Sequence, residues 1–180
     1  MDFMDVVRTR KSTRSYMDED VEEEKLNQIL EAARLAPSWA NKQCWKYIIV
    51  NEKGKIQELA AGIINSWMKY SKVVVVACAD PKKSGSKNGM DYYLVDVAIS
   101  MEHLVLAATN LGLGTCWIGG FDEKKVKKIL NIPEKIKVVA ITPVGYPSKE
   151  KVRDKITRKI IRANTRKPLE EMIYYNSWPN

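Results

Sequence analysis

Seven consecutive apolar residues, Val73 to Ala79, constrain this 180-residue chain more than any other segment. The run is short, unbroken and rich in valine, so it reads as a buried central strand. Downstream, Leu94, Val97, Ala98, Met101, Leu104, Val105, Ala108 and Leu111 recur at helical intervals. They predict the longest helix, from about Tyr92 to Leu111, at the centre of the fold. Before the strand, Leu26, Ile29, Leu30, Ala33 and Ala36 mark a helix that Asp20 and Glu23 cap as a capping box and Pro37 ends.

The remaining elements follow the same logic. Tyr47 to Val50 predicts a strand, and Leu59, Ala60, Ile63, Ile64 and Trp67 predict one helix after it. The polar stretch Asp80 to Gly89 predicts a mobile surface loop. Gly112 and Gly114 stop the long helix, Thr115 to Ile118 forms a short strand, and Asp122 caps a helix containing Val126, Ile129 and Leu130. Ile136 to Val144 is the last strand. Helices and strands therefore alternate, which suggests a parallel α/β sheet, although alternation alone does not fix strand direction.

Size and composition fit one domain over residues 1–180, able to bury a core without disulfides or metal. No apolar run approaches the roughly 20 residues of a membrane span. The N-terminus carries Asp2 and Asp5 where an export signal needs bases, so a cytoplasmic protein is expected. Cys44, Cys78 and Cys116 are far apart in apolar surroundings and read as buried free thiols. The net charge of +8 is concentrated between Lys149 and Lys167, where nine bases face two acids. Lys151, Lys155, Lys159 and Arg162 recur at helical spacing, so binding of nucleic acid or another polyanion is the alternative reading. A solvated face beside a phosphate-binding arginine is favoured, because no aromatic residues are interleaved to stack bases. From Leu169 to Trp178 the tail turns apolar and needs a surface to cover, which a second subunit would supply.

Several chemistries are missing. The glycines at 112, 114, 119 and 120 make neither Gly-x-Gly-x-x-Gly nor a Walker loop. The single histidine, His103, has Ser100 as its nearest hydroxyl on the same helix and reads as packing rather than a hydrolytic triad. No metal site and no catalytic side chain is expected.

Three stretches instead suit the walls of a flavin site. Arg8, Arg10, Lys11 and Arg14 surround Ser12, a concentration of donors fitted to a phosphate. In Pro37-Ser38-Trp39-Ala40-Asn41-Lys42-Gln43-Cys44-Trp45, the two amides of Asn41 and Gln43 both donate and accept, as the edge of a flavin ring requires. In Gly112-Leu113-Gly114-Thr115-Cys116-Trp117-Ile118-Gly119-Gly120-Phe121, the last two glycines leave backbone open to a planar ligand.

With Arg166-Lys167-Pro168-Leu169-Glu170-Glu171 as a fourth motif in the same order, the chain resembles the nitroreductase family of FMN-dependent oxidoreductases over nearly its full length. The resemblance implies an α+β fold, a three-layer α/β/α sandwich with a mainly antiparallel sheet, which overrides the parallel sheet. It implies a homodimer whose C-terminal arm, about residues 148–180, embraces the partner, with two FMN sites lined by both subunits. Arg10, Lys11, Ser12 and Arg166 would bind the phosphate and ribityl chain, and Arg14 the pyrimidine side. Ser38, Trp39, Asn41 and Gln43 would contact the flavin or its surroundings, partly across the dimer, and Ile118, Gly119 and Gly120 would face N5. NADH or NADPH would deliver hydride, and a small acceptor such as a nitroaromatic or quinone would collect it in a ping-pong cycle. Cys44 replaces the family's proline, Gly119 a glutamate of larger relatives, Trp39 a small residue and Asn164 a basic one. Without the inserted helices of larger members, the acceptor pocket should be open.

Overall fold

The computed structural model describes residues 1–62, 65–149, 155, 159–160, 163 and 165–179. It divides into two units, residues 1–149 and 150–180.

The first unit is built on a four-stranded sheet in the order β1-β2-β6-β5, every pair antiparallel. Its strands are β1 (Trp45–Val50), β2 (Val73–Ala79), β5 (Gly114–Thr115) and β6 (Lys137–Gly145), while β3 (Ser86–Lys87) and β4 (Met90–Asp91) form a separate hairpin. The parallel sheet suggested by alternation is thus replaced by the antiparallel one. Strand β2 occupies the apolar run and is buried along its whole length. Period-two alternation explains why it has no polar face. Val74, Val76 and Cys78 pack with Ile56, Met68, Val126 and Ile141 on one side. Val73, Val75, Ala77 and Ala79 pack on the other against Ile29, Ala33, Val97, Met101 and Leu104. Three layers result, with α2 (Glu23–Arg34) and α4 (Tyr92–Asn110) above the sheet and α3 (Lys53–Leu59) and α5 (Glu123–Leu130) below.

Several boundaries differ from expectation, each for a local reason. The chain begins with a helix the periodicity does not reveal, α1 (Phe3–Thr9), whose Asp2 carboxylate accepts from the Met4 N–H and which buries only Val6. Helix α2 starts at Glu23 without a side-chain cap. Asp20 lies 3.6 Å from Lys72 and Glu22 bonds Tyr146 and Lys25, so no capping box forms. The single helix predicted through Leu59 and Trp67 is two elements, α3 and a 3₁₀ helix at Ser66–Tyr70. Gly62, at φ +137°, takes a conformation that no helix continues through; Ile63 and Ile64 lie outside the described residues. The predicted loop Asp80 to Gly89 contains a 3₁₀ turn, Pro81–Lys83, and most of the β3–β4 hairpin. Helix α5 is capped as expected, by Asp122 accepting from the Lys125 N–H, and leaves through Asn131 in the left-handed conformation.

In the second unit, a 3₁₀ turn at Leu169–Glu171 precedes an edge-to-face pair of Tyr174 and Trp178. Leu169, Met172, Ile173, Tyr174, Tyr175 and Trp178 are all exposed. Of the basic helical face, Lys151 and Arg162 lie outside the described residues, while Lys155 and Lys159 are helical and exposed. Among the described residues, no helix is long and apolar enough to cross a membrane.

Candidate functional site

The arm 10–16 leaves α1 and runs along the outer edge of the sheet. Ser12 bridges Thr115 in parallel sense, and the Thr13 N–H donates to the Thr115 carbonyl at 2.8 Å. Thr13, Ser15 and Tyr16 are buried, and the Tyr16 hydroxyl donates back to the Thr13 carbonyl. Burial, with Cys116 nearby, pushes the Tyr16 phenol well above its ordinary range, so it remains a neutral donor. The arm and strand touch so closely that a Cβ on Gly114 would lie 2.6 Å from the Thr13 Oγ1. Lys11 is exposed and Arg10 and Ser12 half-buried, so two cations and one hydroxyl remain accessible from outside.

Arg14 is the odd member. Its guanidinium lies over the Trp67 ring at 6.0 Å, and Tyr16 stacks on the same indole. Its Nη1 is buried, yet makes no hydrogen bond among the described residues. A permanently charged donor stripped of water and left unmatched is expensive, which makes this nitrogen a candidate contact for a ligand's acceptor atom.

Further along the edge, Ile118 exchanges hydrogen bonds with Ile141, at 2.9 and 3.0 Å, before Gly119 and Gly120. A Cβ on either glycine would meet nothing within 4 Å, so a flat ligand can approach their backbone directly. The Gly120 carbonyl is held by the Asn65 amide at 2.7 Å. The structure therefore unites Arg10, Lys11, Ser12, Arg14, Ile118, Gly119 and Gly120 on one edge. Trp67 and Asn65 join them: sequence reasoning missed Trp67 because periodicity makes it helix packing, and Asn65 because nothing local marks it.

The second stretch is elsewhere. Trp39–Asn41 forms a 3₁₀ turn leading to Gln43 and β1. The Ser38 hydroxyl accepts from the Gln43 N–H, and the Gln43 amide donates to the Asn41 side chain at 2.9 Å. This loop enters β1 where Trp45 pairs Ala79 and Ala79 pairs Lys137, whereas Ser12 flanks Thr115 opposite Val144, near the other end of the sheet. Three strand spacings separate β1 from β5, about 14 Å. Within the first unit the two stretches therefore stand apart, as two candidate half-sites rather than one closed site.

Arg166 belongs to the second unit, where its guanidinium donates to the Ala163 and Thr165 carbonyls. His103 has one imidazole nitrogen 3.3 Å from the Ala32 carbonyl, and Ser100 bonds Tyr47 and Ala33. Both hold α4 to its neighbours. A groove of about 1230 Å³, lined by Tyr16 together with Asp18, Leu26, Ile49, Lys53 and Lys72, includes none of Arg10, Lys11, Ser12 and Arg14.

The chain is similar to known proteins over most of its length. Residues 7–74 and 57–146 match the model of the nitroreductase family. A protein of Archaeoglobus fulgidus provisionally named NADH dehydrogenase/NAD(P)H nitroreductase is 34% identical over 151 residues, covering 81% of this chain and 86% of its own. A nitroreductase family protein of Clostridium novyi NT superposes with a TM-score of 0.80 at 40% identity, over 83% of this chain and 87% of the other. An FMN-dependent nitroreductase of Clostridium difficile R20291 superposes at 0.79 with 28% identity, over 97% and 99%.

Proposed function

The chain belongs to the nitroreductase family, and from that premise we propose an FMN-dependent NAD(P)H oxidoreductase that reduces nitroaromatics, quinones or similar acceptors. The observation that carries the cofactor is the buried, unpartnered Arg14 Nη1 on the same sheet edge as the open backbone of Gly119 and Gly120. A ring system with acceptor oxygens and nitrogens at its edge satisfies the first and needs the second.

When bound, FMN supplies reversible two-electron chemistry, taking hydride from NAD(P)H and passing it to the acceptor. The chain's part is to bind and orient. Arg10, Lys11, Ser12 and Arg166 would hold the phosphate and ribityl chain, with Arg and Lys neutralising the dianion. Arg14, lying over Trp67 with Nη1 buried, would favour negative charge on the pyrimidine side. The bare backbone at Gly119 and Gly120 would admit the ring edge, and Ile118 would set its distance from the sheet. No side chain acts as nucleophile or base.

In this reading residues 1–180 form one FMN-binding domain that works as a homodimer. Ser38, Trp39, Asn41 and Gln43 of one subunit complete the edge of the other, and the arm from about 148 to 180 embraces it. The exposed Phe3, Met4, Val7 and Trp117, with the apolar tail, support this, since isolated monomers rarely show so many large apolar side chains to water.

The test is the visible spectrum of the purified protein. Stoichiometric FMN, bleached anaerobically by NADH or NADPH, is expected. Arg10→Ala and Arg14→Ala should lose it. A colourless protein that takes up no added FMN, or two variants that keep it, refutes the assignment.

A further inference from the structure

Asp96 is only 1% exposed, on α4, and its carboxylate meets three donors from two other segments. Its Oδ1 accepts from the Trp39 N–H at 2.8 Å. Its Oδ2 accepts from the Ser84 hydroxyl at 2.8 Å and faces the Cys44 thiol at 3.5 Å. Trp39 and Cys44 bracket the loop of Ser38, Asn41 and Gln43. One carboxylate therefore grips that loop near its start and at its end, and ties it to the segment preceding the β3–β4 hairpin.

The loop needs such a grip. Ala40, Asn41 and Gln43 stand at φ +44°, +55° and +47°, three non-glycine residues in the left-handed region within four positions. Strain of that density persists only where surrounding contacts over-determine it. The indole reinforces the carboxylate: Trp39 lies against Tyr92 with ring centroids 4.0 Å apart, and a Cβ on Gly85 would come within 2.3 Å of its ring nitrogen. Buried carboxylates are costly, and this one has its acceptors filled, with two of the three donors coming from that loop.

We propose that Asp96 is the positioning residue of the second half-site: through Trp39 and Cys44 it holds Ser38, Asn41 and Gln43 in the shape that meets FMN. The proposal rests on the FMN reading above. Asp96→Asn keeps the volume but replaces one acceptor by a donor, so the loop loses part of its anchor while α4 stays packed.

The experiment measures FMN affinity of the apoprotein by fluorescence quenching, beside hydrogen exchange of the same samples without FMN. Asp96→Asn should weaken FMN binding about tenfold, and Ser84→Ala about threefold. Exchange should rise in peptides covering residues 38–45 and 80–91 while β2, β6 and the rest of α4 stay protected. In an Asn41→Ala background the Asp96→Asn effect should largely vanish, whereas in a Lys11→Ala background it should multiply through. Unchanged affinity in both single variants, or full multiplication with Asn41→Ala, overturns the proposal. If Asp96→Asn fails to fold, Ser84→Ala carries the same comparison. Wild-type protein that binds no FMN defeats the cofactor reading instead, and exchange then decides alone: loosening confined to the two peptides supports the anchor, and loosening across α4 and the sheet overturns it.

Discussion

Two kinds of glycine border the proposed site, and replacing each by alanine should separate folding from binding. At Gly114 the added methyl would lie 2.6 to 2.7 Å from Thr13 Oγ1, Cβ and Cγ2, so reaching the 3.4 Å of ordinary contact needs a shift of about 0.8 Å. Thr13 has no freedom to yield as a flexible chain end would. It is buried, branched, and fastened by its N–H to Thr115, so the arm itself must move. Overpacking of this kind costs about 1–3 kcal/mol. For a chain of this length that lowers Tm by about 2–12 °C. Because Thr13 lies between Ser12 and Arg14, FMN affinity should fall with stability. At Gly119 a methyl meets nothing within 4 Å, so Gly119→Ala should melt within about 0.5 kcal/mol of the parent. It should nevertheless bind FMN about tenfold more weakly, because the methyl fills the space the ring edge requires. Differential scanning fluorimetry and FMN titration of both variants make the comparison. A Gly114→Ala protein with parental Tm, or a Gly119→Ala protein with parental affinity, would refute the reasoning.

Two further outcomes follow from ionisation. Hydrogen bonds from Tyr146 and Lys25 hold the Glu22 carboxyl at about 2 against an ordinary 4.5. A depressed carboxyl contributes stability above pH 4.5 that disappears as pH falls towards 2, so Glu22→Gln should flatten the acid side of a Tm-versus-pH curve; acid limbs that run parallel would count against it. Burial pushes the Cys44 and Cys78 thiols up to about 11, and Cys116 is buried too, so a disulfide exchange reagent at pH 8 should find no thiol in the native protein and three after denaturation. A fast-reacting native thiol would contradict that burial.

What was legible in the chain was local. Val73 to Ala79, the helix from Tyr92, Asp122 as a cap and the strand ending at Val144 each declare themselves through residues within a few positions of one another, and each stands where the pattern puts it. The failures have non-local causes. Asp20 and Glu23 have the spacing of a capping box, but Lys72, far away in sequence, takes the Asp20 carboxylate. Strand direction depends on which end of the sheet each crossover returns to, and alternation carries no information about that.

The same division runs through the site. Arg10 to Arg14, Ser38 to Gln43 and Ile118 to Gly120 are recognisable because each packs its donors, amides or bare backbone into one short stretch. Their placement on opposite sheet edges is a property of strand order, and only the order β1-β2-β6-β5 reveals it. Asp96 shows the limit most plainly. It sits among Leu94, Val97 and Met101 on a helix that reads as core, and a lone acid there suggests only a solvent-facing position. Its partners, Trp39, Cys44 and Ser84, come from two other segments and converge only in the folded chain. Residues that touch a ligand are selected for their own chemistry and can be read singly. Residues that aim them are selected for geometry, and geometry is written in the fold.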